Sequence, residues 1–536
     1  MKAFFFSLML AFSPLLMAQN SPFEVILEPL EIPELGGVQS FAFGQDNGKW
    51  LIVGGRLDGL HRRQPWASFD IAGHNNQLIV IDPVTGQKWN QSLTELPQSL
   101  QEQLSSTNME FYQEGNMLYC IGGYGYSQTE GDHTTFPMLT AIDVPSVIDA
   151  IIQAQPIAPY FRQLTDPAFQ VTGGHLEKIG DHFYLLGGQK FIGRYNPMGP
   201  THGPGFEQEY TDAVHIFERY DDGDSLSFRL IESYRDAEQL HRRDYNAVAQ
   251  ILPDGSQAIT MFSGVFRTDA DLPFLNSVTI DASAYRVDSG FEQYYNHYHC
   301  PVLPIYDANE QEMHTVFFGG IAQFYDDEGT LVQDDNVPFV NTIARVTRSA
   351  NGQMAEYKMT TEMPALLGAG AEFLLLETLP KYENEVLDWT AFTEDTTHVG
   401  YIFGGINSSA PNIFFVNDGT QSTASPMLYK VYLVKDEMVS VHPINPQSIS
   451  ELKLELYPNP SVGQLNIRYT LPYASTVQLV VRDASGKMID QVERQETVPG
   501  QKTWEYQLPS LQAGSVLFVS LSTPKEEITR KLIVER

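Results

Sequence analysis

The sharpest local cluster of reactive side chains is His297-Tyr298-His299-Cys300. Two histidines at i and i+2 point the same way on a strand, where imidazole nitrogens can share a metal ion. Cys300 would then project from the opposite face, and no second pair of ligands can be assigned around the histidines. No metal and no other cofactor is therefore expected. Asp221-Asp222-Gly223-Asp224 and Tyr325-Asp326-Asp327-Glu328-Gly329 resemble calcium loops only weakly and read as solvated turns. His202-Gly203-Pro204-Gly205-Phe206 lies in a long insertion and reads as a surface loop rather than a lid. No nucleophile elbow, phosphate loop or zinc signature occurs. Any site must therefore be assembled from residues distant in sequence.

The elements that would assemble it repeat along the chain. Six apolar strands end in a glycine pair or near-equivalent: Val53-Gly54-Gly55, Ile121-Gly122-Gly123, Leu186-Gly187-Gly188, Phe262-Ser263-Gly264, Phe318-Gly319-Gly320 and Phe403-Gly404-Gly405. Each is preceded by another apolar strand through a short turn, such as Asp46-Asn47-Gly48 or Pro253-Asp254-Gly255. Asn-Gly and Asp-Gly pairs between apolar runs are hairpin signals because both residues tolerate positive φ. Gln77 to Trp89 supplies a third strand, an Asp-Pro turn and the start of a fourth. A supersecondary unit recurring in this way is the signature of a radial β-array.

The expected fold is all-β: a six-bladed β-propeller over 19–445, then a small C-terminal β-sandwich over 446–536. The blades fall at 36–100, 105–165, 172–235, 243–293, 296–360 and 368–442. Insertions lie at 189–211, 321–337 and 406–426, and Val144 to Gln153 carries a short helical pattern. Phe23 to Leu27 is expected to close the ring as the outer strand of blade 6. Cys120 is placed in the second strand of blade 2 and Cys300 in the inner strand of blade 5. These blades face each other across the axis, beyond the roughly 4.4–6.8 Å Cα separation of a disulfide. Two free thiols are expected.

Composition narrows the partners. Of 536 residues, 42% are hydrophobic, enough for a large core, and the formal charge is −33. Residues 451–536 hold ten Lys and Arg against ten Asp and Glu, so the excess lies upstream. Such a surface repels phosphate backbones and anionic lipid, which argues against nucleic-acid or membrane-surface partners. Met1-Lys2 and the apolar run to Met17-Ala18 read as a secretory signal peptide over 1–18, cleaved after Ala18. No later run approaches the ~20 residues of a membrane span.

Past Pro446 the chain alternates with period two over several short strands. Tyr457-Pro458-Asn459-Pro460, a Gly486-Lys487 turn and the basic-apolar end Arg530-Lys531-Leu532-Ile533-Val534 occur there in order. Together they resemble the type A C-terminal sorting domain of the type IX secretion system. Gly514-Ser515-Val516-Leu517 departs from the aromatic that this family usually carries after the glycine. The resemblance implies a Bacteroidota-type bacterium, contact with the type IX machinery, and a secreted or cell-surface destination.

By its glycine pairs and the Asp-Pro-to-Trp89 ending, the 20–445 region resembles the kelch-type β-propellers, such as the central domain of galactose oxidase. The family's Arg before the first strand and Trp in the fourth are mostly missing, and Ser263-Gly264 replaces one pair. In that family the loops after second strands and those leading into first strands share one face. The resemblance thus selects Arg56, Asp58, His61, Tyr124, Tyr126, Lys190, Arg194, Tyr195, Phe266, Arg267, Gln323, Tyr325 and Asn407 from the first set. From the second it selects Glu110, His175, Arg243, Tyr245, His297, His299 and Glu372. Cations converging above an acidic molecule suit a carboxylate-bearing or sugar-acid ligand. The expected function is a binding module for glycan or protein. The alternative is a carbohydrate-active enzyme on the same scaffold, oxidase-like or like the family's sialic-acid mutarotase. Glu110 or Glu372 would then work with Arg243 or Arg267 in proton transfer.

Overall fold

The structure, a computed structural model, describes residues 19–197, 205–327, 329–435, 440–441, 452–471, 474–483, 487–496, 498–508, 515–523 and 527–534. The leader at 1–18, His202-Gly203-Pro204, Glu328, the 442–451 junction, Gly486 and Gly514 lie outside the described residues. The chain divides into two compact units: residues 1–325 with 334–444, and residues 326–333 with 445–536.

The larger unit is built from six successive antiparallel sheets. Sheet 1 comprises Ala42–Asp46, Lys49–Val53, Gln77–Asp82 and Gln87–Ser92. Sheet 2 comprises Thr107–Glu114, Met117–Ser127, Pro137–Asp143 and Phe161–Gln170, extended by shorter strands that include Gln189–Ile192. Sheet 3 runs through His175–Ile179, His182–Leu186, Ala213–Asp221 and Leu226–Arg235. Sheet 4 follows with Asn246–Ile251, Gln257–Phe262, Ser277–Asp281 and Tyr285–Asp288. Sheet 5 holds Val302–Asp307, Glu312–Ile321, Phe339–Arg348 and Met354–Glu362, with Leu387–Asp388 added in parallel. Sheet 6 takes Ala371–Leu375, Thr396–Gly404 and Leu428–Lys435. Its outer strand is Phe23–Leu30, paired from Phe23↔Lys435 to Leu30↔Leu428, so the N-terminal strand completes the last sheet as expected.

Why the glycines recur is visible in the backbone. The second glycine of each pair donates its N–H to the segment leading into the next sheet: Gly55 to Ser106 (2.8 Å), Gly123 to Val171 (2.9 Å), Gly188 to Arg242 (2.7 Å). Gly264 bonds His297 (3.2 Å), Gly320 bonds Leu367 (3.0 Å), and Gly405 bonds Val38 (2.9 Å), which returns to sheet 1. Close approach makes a side chain intolerable here. A Cβ on Gly122 would stand 1.8 Å from the Val171 carbonyl oxygen, and one on Gly319 would stand 2.0 Å from that of Leu367. Ser263 keeps the same geometry at φ +53 and donates its hydroxyl to Phe274 O (2.7 Å). The odd member of the series is therefore conformationally regular.

Each seam between neighbouring sheets holds its own apolar cluster. Leu51, Val53 and Cys120 pack between sheets 1 and 2, and Phe183 and Ile121 between sheets 2 and 3. Leu186, Tyr245 and Met261 join sheets 3 and 4, while Phe262, Cys300 and Phe317 join 4 and 5. Phe318, Phe373 and Phe23 join 5 and 6, and Trp50 with Tyr401 and Phe403 joins 6 and 1. Burying such side chains contributes about 1.5–3 kcal/mol each, so the seams carry most of the unit's stability. Both cysteines are buried and free, as expected. Cys300 precedes the inner strand, which begins at Val302, rather than lying in it.

The expected helix forms over Val144–Ile152 with Asp143 as its cap. A second, Gln98–Leu104, was not anticipated. No helix among the described residues is long and apolar enough to cross a membrane. The smaller unit contains one sheet of Lys453–Tyr457, Gln464–Leu471 and Gly500–Gln507. Its second sheet is formed by Ser475–Asp483, Met488–Glu496, Val516–Ser522 and Glu527–Ile533. Leu454, Ile467, Trp504, Val519 and Leu532 belong to the unit's common apolar cluster.

Candidate functional site

Just ahead of or at the start of the inner strands, six backbone N–H groups form a closed ring. Asn108 donates to Ser40 O (3.1 Å), Gly173 to Asn108 O (3.2 Å) and Asp244 to Gly173 O (2.7 Å). His299 donates to Asp244 O (3.0 Å), Gly370 to His299 O (3.1 Å), and Ser40 to Gly370 O (2.7 Å). Ser40, Asn108, Gly173, Asp244 and Gly370 adopt positive φ, from +48° to +70°. Such strain in non-glycine residues persists only where surroundings over-determine it. Five ring residues (Ser40, Asn108, Gly173, Asp244 and His299) line a cavity on either side. The ring is the neck between two compartments.

The upper compartment, about 810 Å³, opens on the face of the loops that follow the second strands. Its wall is aromatic: Phe69, Tyr124, Phe191, Tyr195, Phe206, Tyr210, Phe266, Tyr298, Phe414 and Phe415. Four arginines (Arg56, Arg63, Arg243, Arg267) meet three aspartates (Asp244, Asp271, Asp335) there. Arg243 sits beside the neck. Its Nε donates to Tyr210 Oη (2.9 Å), Nη1 lies 3.4 Å from Asp244 Oδ2, and Phe266, Phe191 and Tyr210 surround the guanidinium. Burial opposes its charge, but Tyr210, Asp244, Tyr195 and Tyr298 outweigh that and hold it protonated. Tyr210 is fixed by stacking on His241 at 3.7 Å. His61 lies between Phe69 and Tyr195, its Nδ1 buried without a partner in the structure, and burial lowers its pKa to about 4.

The lower compartment, about 510 Å³, is walled by the inner strands themselves. Phe43 and Gln45 from sheet 1, Glu110 and Phe111 from sheet 2, and His175 and Glu177 from sheet 3 all line it. Glu110 accepts from Gly174 N at one oxygen (2.8 Å), while Oε2 is buried without a partner in the structure. Burial pushes both Glu110 and Glu177 up to about 8. At the neck, His299 Nε2 lies 2.8 Å from Glu372 Oε1, and its ring stacks on His175 at 5.3 Å. Burial pulls the His299 imidazole down, but Glu372 and Asp244 outweigh it and raise its pKa. His175, buried beside it and bonded to Tyr245 O (2.6 Å), falls to about 3.

Of the residues selected from sequence, Arg56, His61, Tyr124, Tyr195, Arg243, Phe266, Arg267 and His299 line the upper compartment. Arg56 is held there by both oxygens of Asp58 (2.7 and 2.5 Å), and Arg267 by Asp269 (2.9 Å). Glu110, His175 and Glu372 belong to the lower one, because they lie within inner strands rather than ahead of them. The others take structural places. Lys190 pairs with Glu209 (2.6 Å), and Arg194 ties Ser68 O and Trp66 O (2.8 and 2.7 Å). Tyr126 packs on His133, and Tyr245 bonds Leu186 O (2.8 Å) in the core. Gln323 bonds Asp335 (2.9 Å), Asn407 lies exposed in Ile406–Ser408, and Tyr325 lies outside both linings.

The two-histidine metal arrangement does not form. Residues 297–299 are a bend, so i and i+2 do not share a face. Both His297 nitrogens are engaged, by Gln293 O (2.9 Å) and Gln323 N (3.0 Å). Among the described residues no group of three or more His, Cys, Asp or Glu side chains is placed to hold a metal ion. Sequence reasoning missed Asp244, Asn108 and Ser40 at the neck, and Tyr210, Phe69 and Phe415 in the wall. The residues two before each inner strand offered a signal only for Ser40, Gly173 and Asp244; the aromatics sit in insertions with no period to reveal them.

Residues 455–535 match a family described as the secretion system C-terminal sorting domain. The chain carries a type IX sorting tail and is exported, to the cell surface or beyond. No curated protein matches the sequence. The solved structure of YjhT is similar over 76% of this chain and 97% of that one, at 11% identity and a TM-score of 0.39. A fungal alcohol oxidase of the AA5 family, in complex with copper, is similar over 96% of this chain and 100% of that one, at 10% identity and a TM-score of 0.38.

Proposed function

We propose that residues 19–445 form a six-bladed kelch-type propeller that binds an acidic sugar in its upper, aromatic compartment. Residues 446–536 form the β-sandwich that delivers it across the outer membrane of a Bacteroidota-type cell. The two closed sets of backbone bonds, each passing once through every sheet, support the blade count. The observation that carries the ligand class is Arg243. A planar guanidinium held beside the neck by an aromatic collar is the arrangement that recognises a carboxylate bidentately, while flat aromatic faces pack on sugar rings. The unpartnered His61 Nδ1 offers a further polar contact. Calorimetry with glucuronic and sialic acids tests this: binding is expected for the native chain and at least tenfold weaker for Arg243→Ala. Equal binding of the neutral parent sugars would remove the carboxylate from the reading.

The neck favours a second reading, proton transfer on that same ligand. His299 with Glu372 and Arg243 with Asp244 meet at one level, an acid–base pair beside a cation. Anomer exchange followed by proton NMR is expected to accelerate with the native chain and not with His299→Gln.

A further inference from the structure

The lower compartment is chemically unlike the upper one and lies outside the proposed sugar site. Its lining carries Glu110, Glu177, Asp244, Glu372, Glu377 and Glu385 against one lysine, Lys381, which is paired with Glu385. Glu110 is 1% exposed and its Oε2 is an unpartnered acceptor among the described residues. An orphaned, buried carboxyl oxygen is costly unless something meets it. Phe41, Phe43 and Phe111 add aromatic faces to the same wall, with Phe43 and Phe111 rings 5.3 Å apart.

We propose that this compartment is a second binding site, for a small organic ammonium ion that donates to Glu110 and packs its alkyl part on Phe43 and Phe111. The acid excess selects a cation, and the aromatic faces attract one further. An inorganic cation is disfavoured because the carboxylates come from separate strands and, among the described residues, no three ligating groups converge. Besides Glu110, the compartment is lined by His175 and Glu177 from sheet 3, Asp244 and His299 from the segments before sheets 4 and 5, Glu372 from sheet 6, and Glu377, Lys381 and Glu385 beyond it; of these Asp244 acts on the Glu110 carboxyl. Sheet 1 presents no charged group to it from the inner strand, only Phe41, Phe43 and Gln45. Since burial keeps the Glu110 carboxyl protonated at neutral pH, a bound cation draws off that proton into the buffer.

Calorimetry of the full chain with n-butylammonium chloride at pH 7, run in two buffers of different ionisation heat, tests the site. Binding with proton release is expected, with n-butanol and potassium chloride giving none. Glu110→Gln, which keeps the bond from Gly174, is expected to weaken binding at least tenfold and abolish the proton release. Phe43→Leu, a milder change, is expected to weaken it about threefold. Binding indifferent to both variants, or matched by potassium, overturns the proposal. Arg243→Ala is expected to leave amine binding intact, so loss of the acidic-sugar reading would not carry this one with it.

Discussion

The two compartments share five neck residues and almost none of their remaining chemistry. The upper one is made by loops and insertions, so its wall is aromatic and arginine-rich. The lower one is made by strands, and its wall carries carboxylates. Buried acids and histidines are displaced in opposite senses by one cause, and His175 below the neck falls as His61 does above it. Enclosure disfavours charge, raising Glu110 and Glu177 to about 8 below the neck and lowering His61 to about 4 above it. Arg243 keeps its charge because tyrosines and Asp244 surround it, and Glu372 with Asp244 favours the charged form of His299 in the same way. A fold that turns inner strands toward an axis thus yields two environments a few residues apart, one suited to anions and one to cations.

The comparison depends on the backbone rings that keep the neck closed, and breaking one is the largest effect expected. In Gly319→Ala the new Cβ meets the Leu367 carbonyl, the acceptor of the Gly320 bond, at a φ of +64°. A loss of roughly 3 kcal/mol or more is expected, since a buried backbone bond and a strained conformation fail together. Urea unfolding measures it. A change under about 1 kcal/mol would mean that the seams alone hold the unit shut.

Next in size is the pH response of the buried carboxyls and histidines in the two compartments. Glu110 and Glu177 stay protonated in the folded chain while their unfolded counterparts ionise, so stability falls as pH rises from about 4.5 to about 8. His61 and His175 stay neutral while the unfolded chain takes up protons, so stability also falls as pH drops from about 6.5 toward 4. Between pH 6.5 and 8 the carboxyls act together with His299, whose raised pKa likewise withdraws stability as pH rises. Thermal melts are expected to decline across that interval, and Glu110→Gln to recover on the order of 2 kcal/mol at pH 8 by linkage. A native chain and variant with parallel profiles would remove Glu110 from the account.

The all-β succession of sheets was legible because its cause is local. A glycine pair at positive φ and an Asn-Gly hairpin act on their own residues, and six repeats expose them. The closing strand at Phe23 was legible too, as an apolar run left without a sheet. The site was less so. Glu110 and Glu372 read as lead-in residues because a shift of two or three positions, invisible in sequence, moves a side chain from the loop face to the channel. His297 and His299 read as a pair because a bend cannot be told from a strand over three residues. Tyr210 and Phe415 had no signal, since they meet only when insertions from different sheets fold over one opening.

Lys190 marks the limit of that legibility and gives the smallest effect. Sequence placed it among the cations of the funnel, whereas the structure pairs it with Glu209 across the Gln189–Ile192 and Glu207–Tyr210 ribbon. Glu209 is 71% exposed and Lys190 32%, so solvent screens the pair despite its 2.6 Å separation. Lys190→Ala is expected to cost no more than about 0.5 kcal/mol in unfolding. Acidic-sugar binding is expected to change less than twofold, against tenfold or more for Arg243→Ala. A large loss of affinity from Lys190→Ala would move the ligand off the neck and onto the ribbon, and with it the boundary between the two compartments.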